Sequence, residues 1–271
     1  MVVAKGRDNL SIAICTPISR KFDWRTVRSY LGLINDAHGD CEIMVVGNHE
    51  RYKPIEQARC ELAQRVLKSK YEWLLFFDSD ATAEYGTLER LLSWNKPVVS
   101  ALAFKRRTII TPAFEIDEYD PETFHPWKNT AVDTVAEWIG KYGQLNTDKE
   151  MRLPTAPEGS LLEIDRCGTH CLLIHRDVLE AIPEPRFART TPPESGATGS
   201  DYDFCRKARR AGFPIYVDMS VISGHLDGAH IISGMDFMMS TMYMNRIKHQ
   251  YKTEYEKWHN PHTQEVVRMQ D

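Results

Sequence analysis

The sequence lacks the features that mark several large classes of protein. No run of about 18 apolar residues occurs among its 271 residues, so we expect no membrane-spanning helix. The N-terminal stretch MVVAKGRDNL holds no long apolar segment, so we expect no signal peptide. The chain contains no internal repeat and no low-complexity segment. Its length therefore indicates one large globular domain or two small ones.

Cysteine pairs, excess charge and a glycine-rich loop are also missing. No two cysteines form a C-x-x-C motif, which favours free thiols in a reducing cytoplasm. The net charge of -4 argues against a protein made mainly to coat nucleic acid, although it leaves room for a local basic patch. The first turn, CTPISRKFD, has no glycine-rich phosphate loop of the kind usual in nucleotidyltransferases. The six cysteines are Cys15, Cys41, Cys60, Cys167, Cys171 and Cys205.

Apolar segments typical of buried strands alternate with segments of helical spacing. The predicted strands are residues 10–16, 41–47, 73–77 and 97–104. The helical segments between them carry Trp24, Val27, Tyr30, Leu31 and Ile34, then Ile55, Ala58, Leu62, Val66 and Leu67, then Leu88, Leu91 and Leu92. This alternation predicts an α/β fold with a mostly parallel central sheet flanked by helices.

Residues 105–160 break this alternation and predict a long irregular insert. Regularity returns after the insert, where two apolar segments predict strands of a hairpin or a mixed sheet. The elements predicted from there on are strands at 161–165 and 170–175, a helix at 200–212, a strand at 214–218, a loop VISGHLDGAH, and a Met-rich helix from Met235 to Trp258.

The stretch WLLFFDSDA ends five apolar residues with two carboxylates, Asp78 and Asp80. Ligands of open α/β sheets bind beyond the carboxyl ends of strands, and these aspartates lie at such an end. Residues i and i+2 of a strand face the same way, so the pair can present both carboxylates to Mg²⁺ or Mn²⁺. The alternative is a loop in which Asp80 or Thr82 caps the next helix.

Two later segments carry further polar side chains of interest. Asp201 lies at the start of the 200–212 helix, with Ser200 as predicted N-cap and Gly212 as predicted end. There it serves either as a general base or only as a partner of the helix dipole. His225, in the loop after a strand, is either a metal ligand or a solvated side chain.

Cys167, His170, Cys171 and His175 have the residue types of a zinc site. In a strand, however, the two cysteines would face one way and His170 the other. The spacing therefore argues against zinc.

Taken together, several stretches resemble the GT-A-type glycosyltransferases, in particular the small family-2-like enzymes of bacteria and phages. The likeness covers roughly residues 10–110 and 160–228. It implies a single catalytic domain at 1–230, divided into a nucleotide-sugar-binding half at 1–104, the insert, and a catalytic half at 161–230, followed by a helical tail at 231–271. The matching stretches are IAICTP, QARCELAQRVLKSKYEWLLFFDSDATAEYGTLERLL, VVSALAFKRR, CGTHCLLIHRDVLEAIPEPRF, GSDYDFCRKARRAGFPIYVD and VISGHLDG.

The resemblance implies a nucleotide-sugar donor, most simply a UDP-sugar, with Mn²⁺ or Mg²⁺ as cofactor. Asp201 matches the catalytic acidic position. Related sequences often read G-E-D where this chain has Gly199-Ser200-Asp201, so the base and the stereochemical outcome stay open. The donor residues implied are Thr16, Pro17, Arg59, Asp78, Ser79 and Asp80, and the metal ligands implied are Asp78, Asp80 and His225. Arg59 has an alternative interpretation as an exposed helix arginine.

The acceptor is less defined. Trp127 and Trp138 have side chains that stack on sugars or bases, although aromatic residues are also common in cores and lids. Lys105, Arg106 and Arg107 form a basic cluster that is either a solvated face or a contact for donor phosphates or an anionic acceptor such as DNA. The acceptors considered are a hydroxymethylated base in phage DNA, a capsid protein, and a surface glycan or lipid-linked glycan. The expected location is the cytoplasm, or the host cytoplasm if a phage encodes the protein. Separately, the Met-rich helix could form the contact of a homodimer.

Two other classes stay open as alternatives. A nucleotidyltransferase also uses paired carboxylates and Mg²⁺, and a non-catalytic module would bind a nucleotide or sugar without turnover.

Overall fold

The architecture rests on a computed structural model that describes residues 10–18, 22–47, 54–106, 110–119, 126–129, 131–142, 156–189 and 199–259. The helices are α1 (Trp24–Asp36), α2 (Ile55–Leu67), α3 (Thr87–Ser93), α4 (Ala131–Tyr142), α5 (Arg176–Ala181), α6 (Ser200–Arg210) and α7 (Gly234–His259). The strands are β1 (Ser11–Ile18), β2 (Asp40–Gly47), β3 (Trp73–Phe77), β4 (Ala81–Thr82), β5 (Val98–Leu102), β6 (Phe114–Glu115), β7 (Asp117–Tyr119), β8 (Pro126–Asn129), β9 (Leu161–Ile164), β10 (Arg166–Cys167), β11 (Cys171–His175), β12 (Ile215–Ile222), β13 (Gly224–Asp227) and β14 (His230–Ile232).

A seven-stranded sheet of order β2-β1-β3-β11-β5-β12-β9 forms the centre of the protein. Strand β1 is parallel to both of its neighbours, β2 and β3, and β5 is parallel to β12. Strand β11 lies antiparallel between β3 and β5, and β9 pairs antiparallel with β12 at the edge. The predicted mostly parallel α/β fold is therefore confirmed, and 161–165 and 170–175 belong to a mixed sheet without pairing with each other.

Both faces of the central strands are covered. All five residues of β3 are buried, as are all five of β5, because α2 packs on one face of the sheet and α1 and α3 pack on the other. Continuous apolar strands of this kind are expected where helices cover both sides. None of the helices in the described part of the chain is long and apolar enough to cross a membrane.

Helix α1 is rotated relative to its predicted apolar stripe. Only Tyr30 of that stripe is buried, whereas Trp24 and Leu31 are 69% and 62% exposed. The inward face carries polar groups that find partners. The Ser29 hydroxyl accepts a hydrogen bond from the Ala83 N–H, and the Asp36 carboxylate accepts bonds from the start of α3. Hydrogen bonding thus decides the orientation of this helix, which an apolar pattern does not reveal.

The predicted irregular insert contains regular structure. Strands β7 and β8 form an antiparallel pair, and α4 packs on the main core. Val132, Val135, Ala136 and Ile139 carry the helical spacing that signals α4. Trp138 on this helix is 7% exposed and belongs to the main core, which agrees with the alternative that it is a core residue, and its contact with an acceptor stays a prediction.

The segment VISGHLDGAH was predicted as a loop, and that prediction is wrong. Strand β12 continues to Ile222 after a register shift, and β13 and β14 then form an antiparallel hairpin that also pairs with β4. Helix α6 begins with Ser200 as its first residue, and Gly199 rather than Ser200 is the N-cap. Gly212 follows the helix with a φ of 87°, in agreement with its predicted role as the end.

Replacing Asp36 by Ala should destabilise the fold by about 1–3 kcal/mol, because the N–H groups of Gly86 and Leu88 lose a buried acceptor. Urea unfolding monitored by circular dichroism measures the change. Asn35→Ala, at the exposed neighbouring position, is the matched control and should change the free energy of unfolding little. Equal effects of the two substitutions would contradict the anchoring role of Asp36.

Candidate active site

A cavity of about 430 Å³ opens beyond the carboxyl ends of β3 and β5. This is the edge of the sheet at which ligands of open α/β folds bind. Acidic, basic and imidazole side chains from distant parts of the chain converge there. The lining residues are Arg59, Asp78, Ala103, Phe104, Lys105, Ala113, Glu115, Gly168, Thr169, His170, Gly199, Asp201, Tyr202 and His225.

Asp78 and Asp80 lie in a turn rather than in the strand itself. The Ala81 N–H donates to the Asp78 carbonyl, which closes a tight turn directly after β3. The turn, and not strand alternation, therefore places the carboxylates. Asp78 faces Arg59 and His170, whereas Asp80 faces Arg106 and His225.

Two strand pairings bring histidines to this turn. In the antiparallel β3–β11 pair Phe77 lies opposite Cys171, so the next residues, Asp78 and His170, are also neighbours, and the Asp78 N–H donates to the His170 carbonyl. In the β4–β13 pair Ala81 lies opposite His225, which places that imidazole beside Asp80.

Asp80, His170 and His225 each offer one ligand atom, and these atoms lie within 4.8 Å of one another. Two members of this group, Asp80 and His225, were predicted as metal ligands, and His170 was not. Asp78 lies outside the group, so its role as a ligand stays a prediction. Carboxylate oxygen and imidazole nitrogen are ligands that suit a divalent cation.

The electrostatic environment shifts the pKa values of Asp78 and Asp80 in opposite directions. Burial raises the pKa of Asp78 to about 7, and Arg59 only partly opposes this effect. Burial also acts to raise the pKa of Asp80, but hydrogen bonding and the charge of His225, with His170 and Arg106 nearby, outweigh it and leave that pKa below its usual value. Burial lowers the pKa of His170 to about 4, which keeps its imidazole neutral near pH 7. Such opposed shifts in one cavity are typical of functional sites.

Arg59 is a buried residue of α2 and not an exposed helix arginine. Its guanidinium donates a hydrogen bond of 3.0 Å to the Ser200 hydroxyl and lies 4.0 Å from the Asp78 carboxylate. A hydroxyl at position 200 accepts this bond without neutralising the charge. Ser200 in place of a carboxylate therefore leaves Arg59 available to an anionic ligand.

Asp201 lines the cavity from the first turn of α6. Its Oδ1 accepts a hydrogen bond of 3.1 Å from the Tyr202 N–H. A Cβ atom at position 199 would collide with this carboxylate, so Gly199 gives Asp201 the space it occupies. Oδ2 lies near Gly168, which also lines the cavity.

Thr16 and Pro17 are buried at the end of β1. The Thr16 hydroxyl donates to the Phe77 carbonyl and also hydrogen-bonds with the Tyr30 hydroxyl. This side chain is 0% exposed, and its hydroxyl joins β1, β3 and α1, so the implied role of Thr16 in nucleotide binding stays a prediction. The Ser79 carbonyl accepts a hydrogen bond from Thr26, which fixes the same turn against α1.

The predicted basic cluster is only partly described. Lys105 lies 3.2 Å from Glu115 and lines the cavity, whereas the Arg106 guanidinium lies 3.0 Å from the Asp80 carboxylate. Arg107 lies outside the described residues. Trp127 belongs to β8, and its side chain is likewise outside the described part of the protein.

Sequence reasoning missed one wall of the cavity. The Glu115 carboxylate accepts hydrogen bonds from Tyr202 at 2.9 Å and from Arg166 at 2.5 Å. The Lys105 ammonium and the Arg166 guanidinium both lie over the Tyr202 ring. The position of Tyr202, directly after Asp201, could have indicated its place at the cavity. Glu115 lies in the insert, where no sequence pattern pointed to it.

The comparisons with known proteins show a fold and no family. No protein-family model matches the chain, and no curated protein matches it. Among solved structures, A197 from STIV is similar, with a TM-score of 0.51 and 17% sequence identity, over 81% of this chain and 87% of that one. This likeness supports the mixed α/β, Rossmann-like architecture described above.

Asp78→Asn should stabilise the protein in EDTA, and the gain should widen as the pH rises from about 4 to about 7. The unfolded chain releases the Asp78 proton near pH 3.8, but the folded protein keeps it until about pH 7. The unfolded state therefore binds fewer protons in this interval, and the wild-type free energy of unfolding falls with pH. Asparagine carries no proton to lose.

Melting temperatures at pH 4, 5.5 and 7.5 measure this effect. Asp227→Asn, at an exposed position of β13, is the control and should change the melting temperatures little. A pH-independent gain from Asp78→Asn would show that the Asp78 carboxyl titrates normally in the folded protein.

Proposed function

We propose that the protein is a metal-dependent glycosyltransferase that moves a sugar from a nucleotide-diphosphate sugar, most simply a UDP-sugar, to an acceptor hydroxyl. One observation carries this proposal. Two imidazoles, a buried arginine and the carboxylates of Asp78 and Asp201 line one cavity at the ligand-binding end of an α/β sheet, and Asp80 lies beside the two imidazoles.

The donor side of the cavity would be the turn after β3 and helix α2. Asp80, His170 and His225 are the residues that would hold a divalent cation such as Mn²⁺ or Mg²⁺, and their oxygen and nitrogen donors fit it. A cation there would neutralise charge on a departing diphosphate. Arg59, whose guanidinium lies 4.0 Å from the Asp78 carboxylate, would add positive charge beside the same phosphates.

The acceptor side would be α6 and the wall around Glu115. Asp201 lines the cavity, and its carboxylate would take a proton from an acceptor hydroxyl. Tyr202, Lys105 and Glu115 also line the cavity and would contact the acceptor through polar and charged groups.

The partners and location follow from this proposal. The acceptor would be a hydroxymethylated base in phage DNA, a capsid protein or a surface glycan, and mass spectrometry of each after incubation would identify it. The protein would act in the cytoplasm, or in the host cytoplasm if a phage encodes it. The exposed side chains of Met235, Met239 and Met242 lie along one side of α7 and would support a homodimer through this helix.

Two substitutions separate the donor and acceptor roles. Asp80→Asn should weaken binding of the donor at least about tenfold, since a metal ligand is lost. Asp201→Asn should leave donor affinity near the wild-type value but lower kcat for transfer by about 10²–10⁴, the usual contribution of a general base. A panel of nucleotide sugars with Mn²⁺, assayed for slow hydrolysis of the donor and for transfer, measures both effects.

Asp177→Asn is the control for this pair, because that carboxylate is 58% exposed on α5 and does not line the cavity. The proposal fails if no donor is bound or hydrolysed, or if the Asp80 and Asp201 variants match the control. Binding without any turnover would favour the non-catalytic module. Release of diphosphate from nucleoside triphosphates would favour a nucleotidyltransferase.

A further inference from the structure

The outer side of α1 carries an apolar stripe where a surface helix usually presents polar residues. Single exposed apolar residues are normal on proteins, but a continuous stripe marks an interaction site. The spacing of three, four and three residues along α1 places the members of the stripe on one side of the helix. Four exposed side chains form it: Trp24, Val27, Leu31 and Ile34.

The stripe is directed toward the β2 edge of the sheet. Ser29 and Asp36 face the segment from β4 to α3 through their hydrogen bonds. Helix α3 packs on β5 and β12, which lie on the opposite side of β1 from β2. Val27 and Ile34 each precede one of these two polar residues by two positions, a rotation of about 200° around the helix axis. They therefore point away from α3 and toward β2.

Strand β2 leaves two further apolar side chains uncovered on the same face of the sheet. Cys41, Ile43 and Val45 alternate along one face of the strand, and Cys41 packs with the core cluster that contains Tyr30 and Leu33 of α1. Ile43 and Val45 therefore lie on the α1 face, where they are 39% and 37% exposed. The α1–β2 surface is defined by six residues: Trp24, Val27, Leu31, Ile34, Ile43 and Val45.

The size of the α1–β2 surface matches one side of a dimer interface. Its six side chains expose roughly 450 Å² of apolar area. A standard interface takes about 800 Å² from each partner, and somewhat more than half of that area is apolar. Arg28 and Asn35, which are also exposed on α1, supply part of the polar remainder.

The charges beside the α1–β2 surface argue against a lipid bilayer as its occupant. Helices that lie on membranes are rich in Lys and Arg beside the apolar face. Helix α1 exposes one arginine, Arg28, whereas Arg25 is held by Asp23 and by the carbonyls of Gly228 and Ala229. A surface with few charges is typical of the centre of a protein–protein interface.

We infer that the α1–β2 surface is the interface of a homodimer in which two copies of α1 pack antiparallel around a two-fold axis. A stripe with three-and-four spacing packs against an identical stripe, and a two-fold axis makes one surface complementary to itself. Trp24 of one copy then packs on Ile34 of the other, and Val27 packs on Leu31. The helix pair covers Ile43 and Val45 of both copies.

This inference goes beyond the proposed function, because none of the six residues lines the cavity and the test requires no catalysis. Sedimentation velocity of the full chain over a concentration series should show a dimer. Leu31→Glu should raise the dissociation constant of the dimer at least about 30-fold, since it replaces a central apolar contact with a charge. The exposed methionines of α7 are the rival contact. Met239→Glu, at a position 61% exposed, is the matched control and should leave the dimer intact.

Cross-linking tests the antiparallel arrangement. Leu31 lies near the middle of the stripe, so a short bis-maleimide should join two chains of Leu31→Cys. The wild type, which carries six cysteines, and Met239→Cys are the controls and should remain single chains. Circular dichroism confirms that each variant is folded.

The inference is overturned if the wild type is a monomer at every concentration, if Leu31→Glu leaves the dimer intact, or if Leu31→Cys gives no more cross-linked product than the controls. Dissociation by Met239→Glu alone would assign the dimer to α7. Binding of a monomer to vesicles of phosphatidylcholine and phosphatidylglycerol, lost in Leu31→Glu, would assign the surface to a bilayer. A monomer that Leu31→Glu destabilises would show that the chain itself covers the stripe.

Discussion

The charge of two carboxylates at the end of a buried strand is the constraint that organises this protein. Asp78 and Asp80 follow five fully buried residues, and such groups are tolerated only with compensation. Compensation comes from four separate parts of the chain: α2 provides Arg59, the loop before β11 provides His170, β13 provides His225, and the end of β5 leads to Arg106. The fold can therefore be understood as the scaffold that brings these groups to one turn.

The antiparallel strand β11 is the main reason why this site differs from the ligand site of a purely parallel sheet, which is built from the carboxyl ends of strands alone. Its insertion between β3 and β5 puts the start of one strand beside the end of another, so that His170 meets Asp78. A parallel strand in the same place would begin at the opposite end of the sheet, away from Asp78. The hairpin of β13 and β14 has a similar effect for His225, through its pairing with β4.

The sequence predicted the local elements well and their spatial relations less well. The order of strands and helices to residue 104, α6, and the tail helix follow from apolar spacing, and Asp78, Arg59, Asp201 and His225 all lie at the cavity. Spacing cannot reveal that α1 turns polar residues inward, because Asp36 and Ser29 find partners 50 or more residues away. It also cannot assign His170, whose role depends on the partners of β11 rather than on its neighbours in the chain.

Arg59 connects the aspartate turn after β3 with the start of α6. One guanidinium touches Asp78 on one side and the Ser200 hydroxyl, at the start of α6, on the other. An anion bound beside Arg59 would compete with Ser200 for this guanidinium. Under the proposed function, the donor side of the cavity and the first turn of α6 would therefore be linked through a single side chain.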